Sequence, residues 1–567
     1  MDVIRRMKLL DIIKKMVKDD PRSIVDTSDC VAVMLCAIFS GSHDLYRVRE
    51  RLSRFDMMTI MQNNQFNIEN FPEERLAKAL DDIWEIGPDR LITAIAVQLI
   101  EAFSIETDYF HFDTTSLTCY GAFEIEDDLQ TLAGDMPPKV TYGHSKDRRP
   151  DLKQILYGMM VSSDGGVPVF GQILDGNQSD NISTALFFAR VRSLVEDPRK
   201  VACVADSKGW CGRVLALIQD QGMRLLSRLP RNHGVHRSIM TMEWKPIDRI
   251  EIPNKRRKDD PPEIYEFFGS DIEETFTVLE VGKDGKETNT RILTVPARAV
   301  RVFSSALLKR KLSTLTRIRK RELRQAKVFM RDRQKRAFAC DEDAKRAAIR
   351  DRREARYITL DLHASVVHHD GVYRRSRGRP PKNKEPGISV PHWRIVYHTT
   401  DVDENISKDR LHDSASFVII RNRQKGWNIS DKEMIMRYKG QYHNEHGFSW
   451  LKSGAVMNPV FLKTPHRIGS LGFLYCVGLM IWTIIQRTVR KGLQKTGQML
   501  PHYNRRMTSN ITTRFIFELF QEIQSQILTH ADGRRELFVH GITNHNSRAC
   551  RCIGTKLSVF RPVSGAV

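Results

Sequence analysis

The order of secondary-structure patterns between residues 106 and 230 constrains the fold of this 567-residue chain more than any other feature. Aromatic residues and threonine alternate around Asp113, which predicts a strand, and the two apolar runs that follow are joined by an Asp-Gly pair that favours a hairpin. Next come a helical pattern capped by Asp180 or Asn181, a short apolar run that ends in Asp206, a second helical pattern and a final apolar run. The predicted order is strand, strand, strand, helix, strand, helix, strand.

This order predicts an α/β fold of the RNase-H-like type, in which helices flank a mixed sheet. Acids on the first and fourth strands of such a fold lie side by side, so Asp113 and Asp206 are expected to be neighbours. After Pro230 the pattern is interrupted for about 200 residues, and a β-rich insertion domain is expected there. Its predicted strands are short and separate: EIYEFFG, TFTVLEV, TRILTV and ARAVRVF.

Changes in pattern divide the chain into predicted regions. The first is a helical N-terminal domain that either binds DNA ends or only packs against the rest of the chain. The predicted bounds are 1–105 for this domain, 106–230 for the first part of the core, 231–430 for the insertion, 431–500 for the second part of the core, and 501–567 for a C-terminal tail or small helical region.

The composition indicates a soluble partner of polyanions. The formal net charge is +21 and the pI is about 9.6, which favours nucleic acid as a partner before an anionic membrane surface. The nine cysteines are scattered and odd in number, which predicts reduced thiols and a cytoplasmic location. The apolar stretch 469–486 is short for a membrane span and is interpreted as a buried core helix, so no membrane is expected.

Three basic segments are candidates for DNA contact. A long helical pattern from about residue 307 to 357 is either a solvated, salt-bridged helix or a surface for the DNA backbone. The segment with Arg377 and Arg379 resembles an AT-hook, which lies in the narrow minor groove, although an ordinary basic loop has the same composition. A loop beside the first strands is either a phosphate contact or a solvated turn; its candidate residues are Lys146, Arg148 and Arg149.

A second cluster of polar residues follows the insertion. Tyr438, Gln441, Glu445 and Lys452 are spaced by three, four and seven residues, which places them on one face of a helix. Ser430 with Glu433 predicts a capping box that opens this helical segment. Because Gly440 lies inside the segment, we expect one helix to end near Tyr438 and a second to start at Gln441.

Asp113, Asp206 and Glu445 together suit divalent metal ions. Mg²⁺ and Mn²⁺ prefer carboxylate oxygens, and two such ions roughly 4 Å apart can activate a water or a 3′-hydroxyl at a phosphodiester. Two adjacent strands and a nearby helix would supply the three carboxylates.

The chain resembles the DDE transposases of bacterial insertion sequences, in the branch with a Tyr-Arg-Glu-Lys signature. The matching positions are Tyr438, Gln441, Glu445 and Lys452, with glutamine in place of the family's arginine. Further blocks in the family's order are HFDTTSL, TYGHSKDRRPDLKQ, DGNQSDN, VADSKGW and NPVFLKTPHRIGSL, so the resemblance covers about residues 105 to 490.

The resemblance implies a function and a set of roles. Asp113, Asp206 and Glu445 would be the metal-binding catalytic acids, and the insertion would help to hold the DNA end. The residues that would contact the DNA end are Tyr438, Gln441 and Lys452. Two metal ions would support cleavage at the element's inverted-repeat ends and transfer of the 3′-hydroxyls to target DNA, with a homodimer joining two ends. A nuclease of the same fold without strand transfer and a DNA-binding protein that does not cut are the alternative hypotheses.

Overall fold

The structure is a computed structural model of the chain. It describes residues 1–41, 44–123, 127–147, 149–253, 261–281, 287–370, 392–401, 411–453, 460, 462–503, 506–532 and 535–555.

The strands of the described residues carry the labels β1 to β16 in chain order. They are β1 (Tyr109–Thr118), β2 (Gln154–Ser162), β3 (Pro168–Leu174), β4 (Ala202–Ala205), β5 (Arg224–Arg228), β6 (Asp248–Ile252), β7 (Glu263–Val281), β8 (Glu287–Ser304), β9 (Ala337–Phe338), β10 (Leu360–His369), β11 (His392–Asp401), β12 (Ser416–Asn422), β13 (Leu500–Pro501), β14 (Met507–Thr508), β15 (Gln524–Thr529) and β16 (Arg535–His540).

The α-helices are labelled in the same way. They are α1 (Asp2–Arg6), α2 (Leu9–Met16), α3 (Thr27–Phe39), α4 (Val48–Leu52), α5 (Met57–Met61), α6 (Glu73–Ile86), α7 (Pro88–Phe103), α8 (Asp180–Ala189), α9 (Val191–Leu194), α10 (Gly212–Asp220), α11 (Gly234–Thr241), α12 (Ser305–Arg333), α13 (Asp341–Glu354), α14 (Asp431–Lys439), α15 (Tyr442–Leu451), α16 (Pro465–Thr496), α17 (Thr513–Glu518) and α18 (Asn544–Ile553).

The chain forms two compact units. The first unit consists of Met1–Pro230, Asp271–Ala299 and Ile419–Val567, and the second of Arg231–Ser270 and Val300–Val418. These units divide the chain differently from the predicted insertion 231–430, because the long strands β7 and β8 each run from one unit into the other. The short separate strands predicted for this segment were wrong: EIYEFFG and TFTVLEV lie within the 19 residues of β7, and TRILTV and ARAVRVF within the 18 residues of β8.

The first unit is built on a large mixed sheet, in an α/β arrangement. Its strand order is β3-β2-β1-β4-β5-β12-β8-β7. The pairs β1–β2 and β2–β3 are antiparallel, and β1–β4 and β4–β5 are parallel. Ile419 to Arg421 of β12 then pair antiparallel with β5. Parallel strands need a crossover connection, and α8 and α9 between β3 and β4 and α10 between β4 and β5 supply it.

Helices cover both faces of this sheet, which explains why all nine residues of β2 are buried. On one face Phe187 of α8 packs against Gly158, where a Cβ would lie 2.5 Å from its ring. On the other face Tyr157 donates a hydrogen bond of 3.4 Å to the carbonyl oxygen of Gly472 in α16. Since side chains alternate along a strand, neighbouring residues of β2 serve the two layers.

The helix α16 forms the centre of the apolar core of the first unit. It is long and apolar enough to cross a membrane, but 89% of its most apolar 18-residue window is buried by the rest of the chain. It packs against β3, α6, α7 and α3. This arrangement agrees with the interpretation of residues 469–486 as a core helix.

A polar clamp fixes the N-terminal helices to α16, and a tight turn joins α6 to α7. His466, at the start of α16, is 2.8 Å from Asp81 of α6 through Nε2 and 2.8 Å from Asp127 through Nδ1. Gly87 lies between α6 and α7 with a φ of 99°, which glycine adopts without a steric cost, and Pro88 begins the next helix.

The described residues after 500 contain more than the predicted tail or small helical region. They form α17, α18 and the two hairpins β13–β14 and β15–β16. Leu500, Ile511, Ile516 and Ala549 join Val489 and Leu493 of α16 in a small apolar cluster.

The second unit has its own small core. The strand order β10-β11-β9 forms a sheet against which α12 and α13 pack. Ala344, Ala347 and Ala348 of α13 meet apolar residues of β10 and β11. The buried carboxylate of Asp351 is paired with Arg333, with an Nη1–Oδ1 distance of 2.7 Å, and with Arg336.

Candidate active site

The parallel pairing of β1 with β4 brings Asp113 and Asp206 together. His111 is the partner of Val204 in the register; Asp113 follows two residues later within β1, and Asp206 follows two residues later, directly after the end of β4. Because β1 and β4 run in the same direction, both aspartates lie just beyond the last paired residues of the two strands, His111 and Val204. They are close enough that the negative charge of Asp206 raises the pKa of Asp113.

Asp206 is held by the turn that ends β4. Its carbonyl oxygen accepts a hydrogen bond of 2.6 Å from Oγ of Ser227 and one of 3.1 Å from the N–H of Gly209. Its Oδ1 accepts a further bond of 3.1 Å from the N–H of Lys208. A Cβ at Gly209 would lie 2.4 Å from that of Ala205, so the tight turn depends on glycine.

Asp113 lies in a partly buried position, with 29% of its side chain exposed. Burial raises its pKa to about 6, and the charge of Asp206 adds to this effect. Two contacts oppose it: Nζ of Lys146 lies 3.6 Å from Oδ1, and the N–H of Thr114 donates to Oδ1 at 2.7 Å. A carboxyl group with this pKa changes charge close to neutral pH.

Lys146 is anchored along β1 rather than extended into solvent. Its Nζ donates a hydrogen bond of 3.0 Å to Oγ1 of Thr114 and another to the carbonyl oxygen of Thr114, and its backbone N–H donates to Oγ of Ser116 at 2.9 Å. The lysine predicted as a phosphate contact therefore places its cation beside Asp113 in this structure.

The structure adds two charged residues that the sequence did not indicate for this site. Asp180 accepts a hydrogen bond of 3.2 Å from Oγ1 of Thr114 and forms an ion pair of 2.8 Å with Lys208. Ser179 is the residue before the first turn of α8, so the prediction that Asp180 or Asn181 caps this helix was wrong. The one indication in the sequence that Lys208 lies near the site is its position two residues after Asp206.

The segment from Tyr438 to Lys452 is divided into two helices, as predicted. Lys439 ends α14 and Tyr442 begins α15, with Gly440 and Gln441 in the turn between them. At the start of α14, Oγ of Ser430 accepts a hydrogen bond of 3.2 Å from the N–H of Glu433, which is one half of the predicted capping box.

The two residues at the start of this segment face the aspartates. Burial raises the pKa of Tyr438 to about 12; Arg228 lowers it and the charges of Asp206 and Asp113 raise it, so the phenol lies beside the acid pair. Gln441 donates a hydrogen bond of 3.3 Å from Nε2 to the carbonyl oxygen of Phe112, the neighbour of Asp113.

The other two residues of the segment lie farther along α15. Glu445 is exposed in the first turn of α15, a helix that packs against β1 and β2. Lys452 follows the helix and forms an ion pair of 2.7 Å with Asp147, in the loop that carries Lys146.

The pair Asp113 and Asp206 fits part of a metal site. Both supply the oxygen donors that Mg²⁺ prefers, and a cation would offset the unfavourable ionisation of Asp113. Within the described ranges, no group of three His, Cys, Asp or Glu residues is arranged to hold a metal ion. The structure thus brings two of the three predicted ligands together, and it does not group Glu445 with them.

The remaining predicted DNA contacts fall into two sets. Arg149 is exposed and donates from Nε and Nη2 to Asp151 at 2.8 to 3.2 Å, so its charge is already balanced. Arg148, Arg377 and Arg379 lie outside the described residues.

A pair of histidines, in β1 and α15, was not indicated by the sequence. His111 of β1 is 1% exposed, and burial lowers its pKa to about 3; burial likewise lowers the pKa of His443 in α15 to about 4. Their ring centroids are 6.4 Å apart. A Cβ at Gly440 would lie 2.7 Å from Cε1 of His111, so the turn between α14 and α15 fits tightly against this neutral imidazole.

Comparison with known proteins gives one family match and several structural similarities. Residues 1–97 match a family described as a domain of unknown function, DUF4277. No curated protein matches the chain.

Similar solved structures include a synaptic complex of the piggyBac transposase with hairpin DNA, with 10% identity, a TM-score of 0.25 and coverage of 52% of this chain. They also include the Mos1 transposase in a paired-end complex with the left transposon end and in a pre-cleavage transpososome, each with 8% identity, a TM-score of 0.14 and coverage of 37% of this chain. The chain spans 60% of the length of each of these structures.

Proposed function

We propose that this chain is a DNA transposase of the DDE type, with an RNase-H-like core. It cleaves DNA at the inverted-repeat ends of an insertion sequence and transfers the 3′-hydroxyls to target DNA. The observation that carries this proposal is the position of Asp113 and Asp206, each two residues beyond the last paired residues of two neighbouring parallel strands, β1 and β4.

The strand order around these acids supports the proposal. In β3-β2-β1-β4-β5, three antiparallel strands are followed by two strands parallel to β1, with helices as the crossovers. This is the order that led to the expectation of an RNase-H-like core. Asp113 lies on β1 and Asp206 directly follows β4, and these two strands are the central pair.

In the proposed mechanism Asp113, Asp206 and Glu445 hold two Mg²⁺ or Mn²⁺ ions. Such ions, when bound, supply a nucleophile at neutral pH and stabilise the leaving oxygen of the phosphodiester. Asp113 must be ionised to bind a cation, and Lys146 favours its ionised form from a distance of 3.6 Å. The hydrogen bond from Gln441 to Phe112 fixes the start of the Glu445 segment to the strand of Asp113.

Four of the predicted DNA contacts divide into two pairs in this proposal: one pair positions the segment and the other pair contacts phosphates. Tyr438 and Gln441 position the segment, because both side chains are directed towards β1 and its acids. Lys452 and Arg149 are held by Asp147 and Asp151, and phosphates would replace these exposed carboxylates when DNA binds. We further propose a homodimer that joins two ends, acting in the cytoplasm.

The direct test is cleavage of a DNA that carries the element's own ends. Asp113→Asn, Asp206→Asn and Glu445→Gln are each expected to abolish Mg²⁺-dependent cleavage and to leave end binding intact. Asp197→Asn is the matched control, because it removes a surface carboxylate that is paired only with Arg199 among the described residues. Full activity in any of the three variants would reject its assigned role.

Two further readouts separate the alternatives. Pre-cut ends that are not joined to target DNA, despite cleavage of intact ends, would indicate a nuclease without strand transfer. Salt-sensitive DNA binding without any Mg²⁺-dependent product would indicate a DNA-binding protein that does not cut.

Metal binding can be measured without DNA. Mg²⁺ is expected to raise the unfolding temperature of the wild-type chain and of the Asp197→Asn control, since a ligand that binds only the folded state stabilises it. The shift should be lost in Asp206→Asn. Loss of the shift in Glu445→Gln would support Glu445 as a third ligand, and an unchanged shift would exclude it.

A further inference from the structure

The helix α12 of the second unit carries basic residues that have a common orientation. Seven exposed ones between Lys309 and Lys327, called here the α12 stripe, are Lys309, Arg310, Arg317, Lys320, Arg321, Arg324 and Lys327. At 3.6 residues per turn, these positions fall within about 120° of the helix circumference. From Lys309 to Lys327 the stripe extends about 27 Å along the helix axis.

The opposite face of α12 is used for packing. Glu322 and Ala326 are buried there, and the helix contacts β10 and β11 of its own unit. Glu322 accepts hydrogen bonds from the backbone N–H groups of Ile358 and Thr359, at 2.8 and 2.9 Å, and from the hydroxyl of Thr359. The acid in the middle of the helix therefore points inward, away from the stripe.

Ion pairs of α12 involve other basic residues. Arg319, on the packing side, lies 2.6 Å from Asp401, and Arg333 at the end of the helix pairs with Asp351 and Glu354. Arg331 lies on the same face as the stripe, one turn after Lys327, and pairs with its neighbour Asp332. Across the described part of the chain, the seven stripe residues form no ion pair with a carboxylate. A salt-bridged helix thus describes the ends and the inner face of α12, but not its outer face.

A membrane surface would be a poor partner for this helix. Helices that bind membranes bury an apolar face among the lipids, opposite a basic face. In α12 the face opposite the stripe is already packed against its own unit. A partner that requires only regularly spaced negative charges fits the stripe better.

We propose that the α12 stripe binds the phosphate backbone of duplex DNA, without reading its sequence. The choice of DNA as the polyanion rests on the proposed function. The inference that the stripe binds a rigid polyanion rests on the stripe alone. A stripe of about 27 Å matches the length of about eight base pairs of duplex. Contacts between cations and phosphates position a protein on DNA and give binding that weakens steeply with salt.

The test compares two double variants of the full chain that lose the same charge from the same helix. Lys320→Gln/Arg324→Gln removes two cations from the stripe, and Lys311→Gln/Arg319→Gln removes two from elsewhere on α12. Binding to a duplex without transposon ends is measured in EDTA at several salt concentrations. Circular dichroism and urea unfolding confirm that both variants fold.

The stripe variant should reduce the slope of log K against log salt by about 1.8, because each phosphate that the protein neutralises contributes about 0.9 to the slope. Its loss of affinity between 50 and 200 mM salt should be about tenfold smaller than that of the wild type. The control variant should keep the wild-type slope. Equal slopes for all three proteins, or equal reductions in both variants, would overturn the proposal.

Two more measurements complete the design. Binding to vesicles of phosphatidylserine and phosphatidylcholine is measured for the same proteins. If the stripe variant binds the vesicles less than the wild type does, while the salt dependence of its DNA binding is unchanged, the surface is a membrane contact and the proposal fails. Cleavage by the wild type is assayed separately with Mg²⁺. If the wild type does not cleave, but the stripe variant has a reduced slope of log K against log salt, the proposed transposase function is rejected and the proposed DNA-binding surface is retained.

Discussion

Nε2 of Gln441 lies 3.3 Å from the carbonyl oxygen of Phe112 and donates a hydrogen bond to it. This bond joins the turn between α14 and α15 to the strand of Asp113. In the resembling family an arginine occupies this position, and the shorter amide meets the backbone of the neighbouring strand. The glutamine therefore has a structural partner of its own in this chain.

Replacing Gln441 should loosen this connection. Gln441→Ala is expected to lower the free energy of unfolding by about 1 kcal/mol, the usual contribution of one hydrogen bond. Gln441→Glu should cost more, because a carboxylate cannot donate to the carbonyl and would add negative charge near Asp113. Urea unfolding measures both, with Gln65→Ala as an exposed control expected within about 0.5 kcal/mol of the wild type. Equal stability of all four proteins would show that the bond contributes nothing.

The raised pKa of Asp113 predicts a dependence of stability on pH. Its folded pKa of about 6 exceeds the usual value, so the folded state holds a proton that the unfolded chain loses first, and stability falls as pH rises from about 4 to 6. Asp113→Asn avoids this loss. It should be more stable than the wild type by about 2 kcal/mol at pH 8 in EDTA, with no difference below pH 4.

The same titration has a control of opposite sign. Arg199 lowers the pKa of Asp197, so the contribution of Asp197 is present at neutral pH and is lost on acidification. Asp197→Asn should therefore gain nothing at pH 8. If the difference in unfolding free energy between Asp113→Asn and the wild type did not change with pH, the raised pKa of Asp113 could not be its cause.

The contact between His111 and Gly440 can be tested with a double-mutant cycle. Gly440 has a φ of −59°, which alanine adopts readily. The closest atoms to the new Cβ are those of the His111 imidazole, at 2.7 to 2.9 Å, followed by the carbonyl oxygen of Arg437 at 3.0 Å, so the imidazole should be the main obstacle to Gly440→Ala. We expect this variant to lose about 1–3 kcal/mol of stability through overpacking. Combined with His111→Ala, it should cost at least about 0.5 kcal/mol less than the sum of the single variants.

The cycle also has a matched glycine control. Gly234 begins α11 and has open space where a Cβ would lie, so Gly234→Ala should be neutral or slightly stabilising. Strict additivity of the two variants at positions 440 and 111 would show that the imidazole does not limit the turn.

The clamp around His466 should weaken in alkali. Burial lowers the pKa of His466, but its hydrogen bonds with Asp81 and Asp127 raise it by more, so the net shift is upward. A raised folded pKa means that the stabilisation is complete below about pH 6.5 and is lost as pH rises through the folded value. The unfolding free energy should fall by roughly 1–2 kcal/mol across this range, and His466→Gln should remove the fall. An identical pH profile in the variant would contradict this account.

The local patterns of the sequence were sufficient to predict the strands around Asp113 and Asp206. Alternation and apolar runs depend on nearby residues, and the order of the elements then indicated that β1 and β4 are neighbours. The break at Gly440 was also predictable, because glycine disfavours a helix interior. Both predictions required only short-range information.

Other features depend on residues that are far apart in the chain. The environment of His111 is made by Gly440 and His443, more than 300 residues later, and no periodicity reveals such a contact. Asp180 had the sequence context of a helix cap, yet its side chain meets Thr114 and Lys208. For Glu445, spacing indicated the face of the helix but could not give its distance from the two aspartates.

The position of α16 has a consequence for synthesis of the chain. The helices α6 and α7 pack against α16, which begins at Pro465, about 360 residues after α7 ends at Phe103. At roughly 5–20 residues per second, the ribosome needs roughly 20–70 seconds to make that interval. During this time the newly made N-terminal helices have apolar faces without their final cover, and the sheet with both aspartates lacks its central helix. The enzyme we propose would therefore be inert until most of its own chain has emerged.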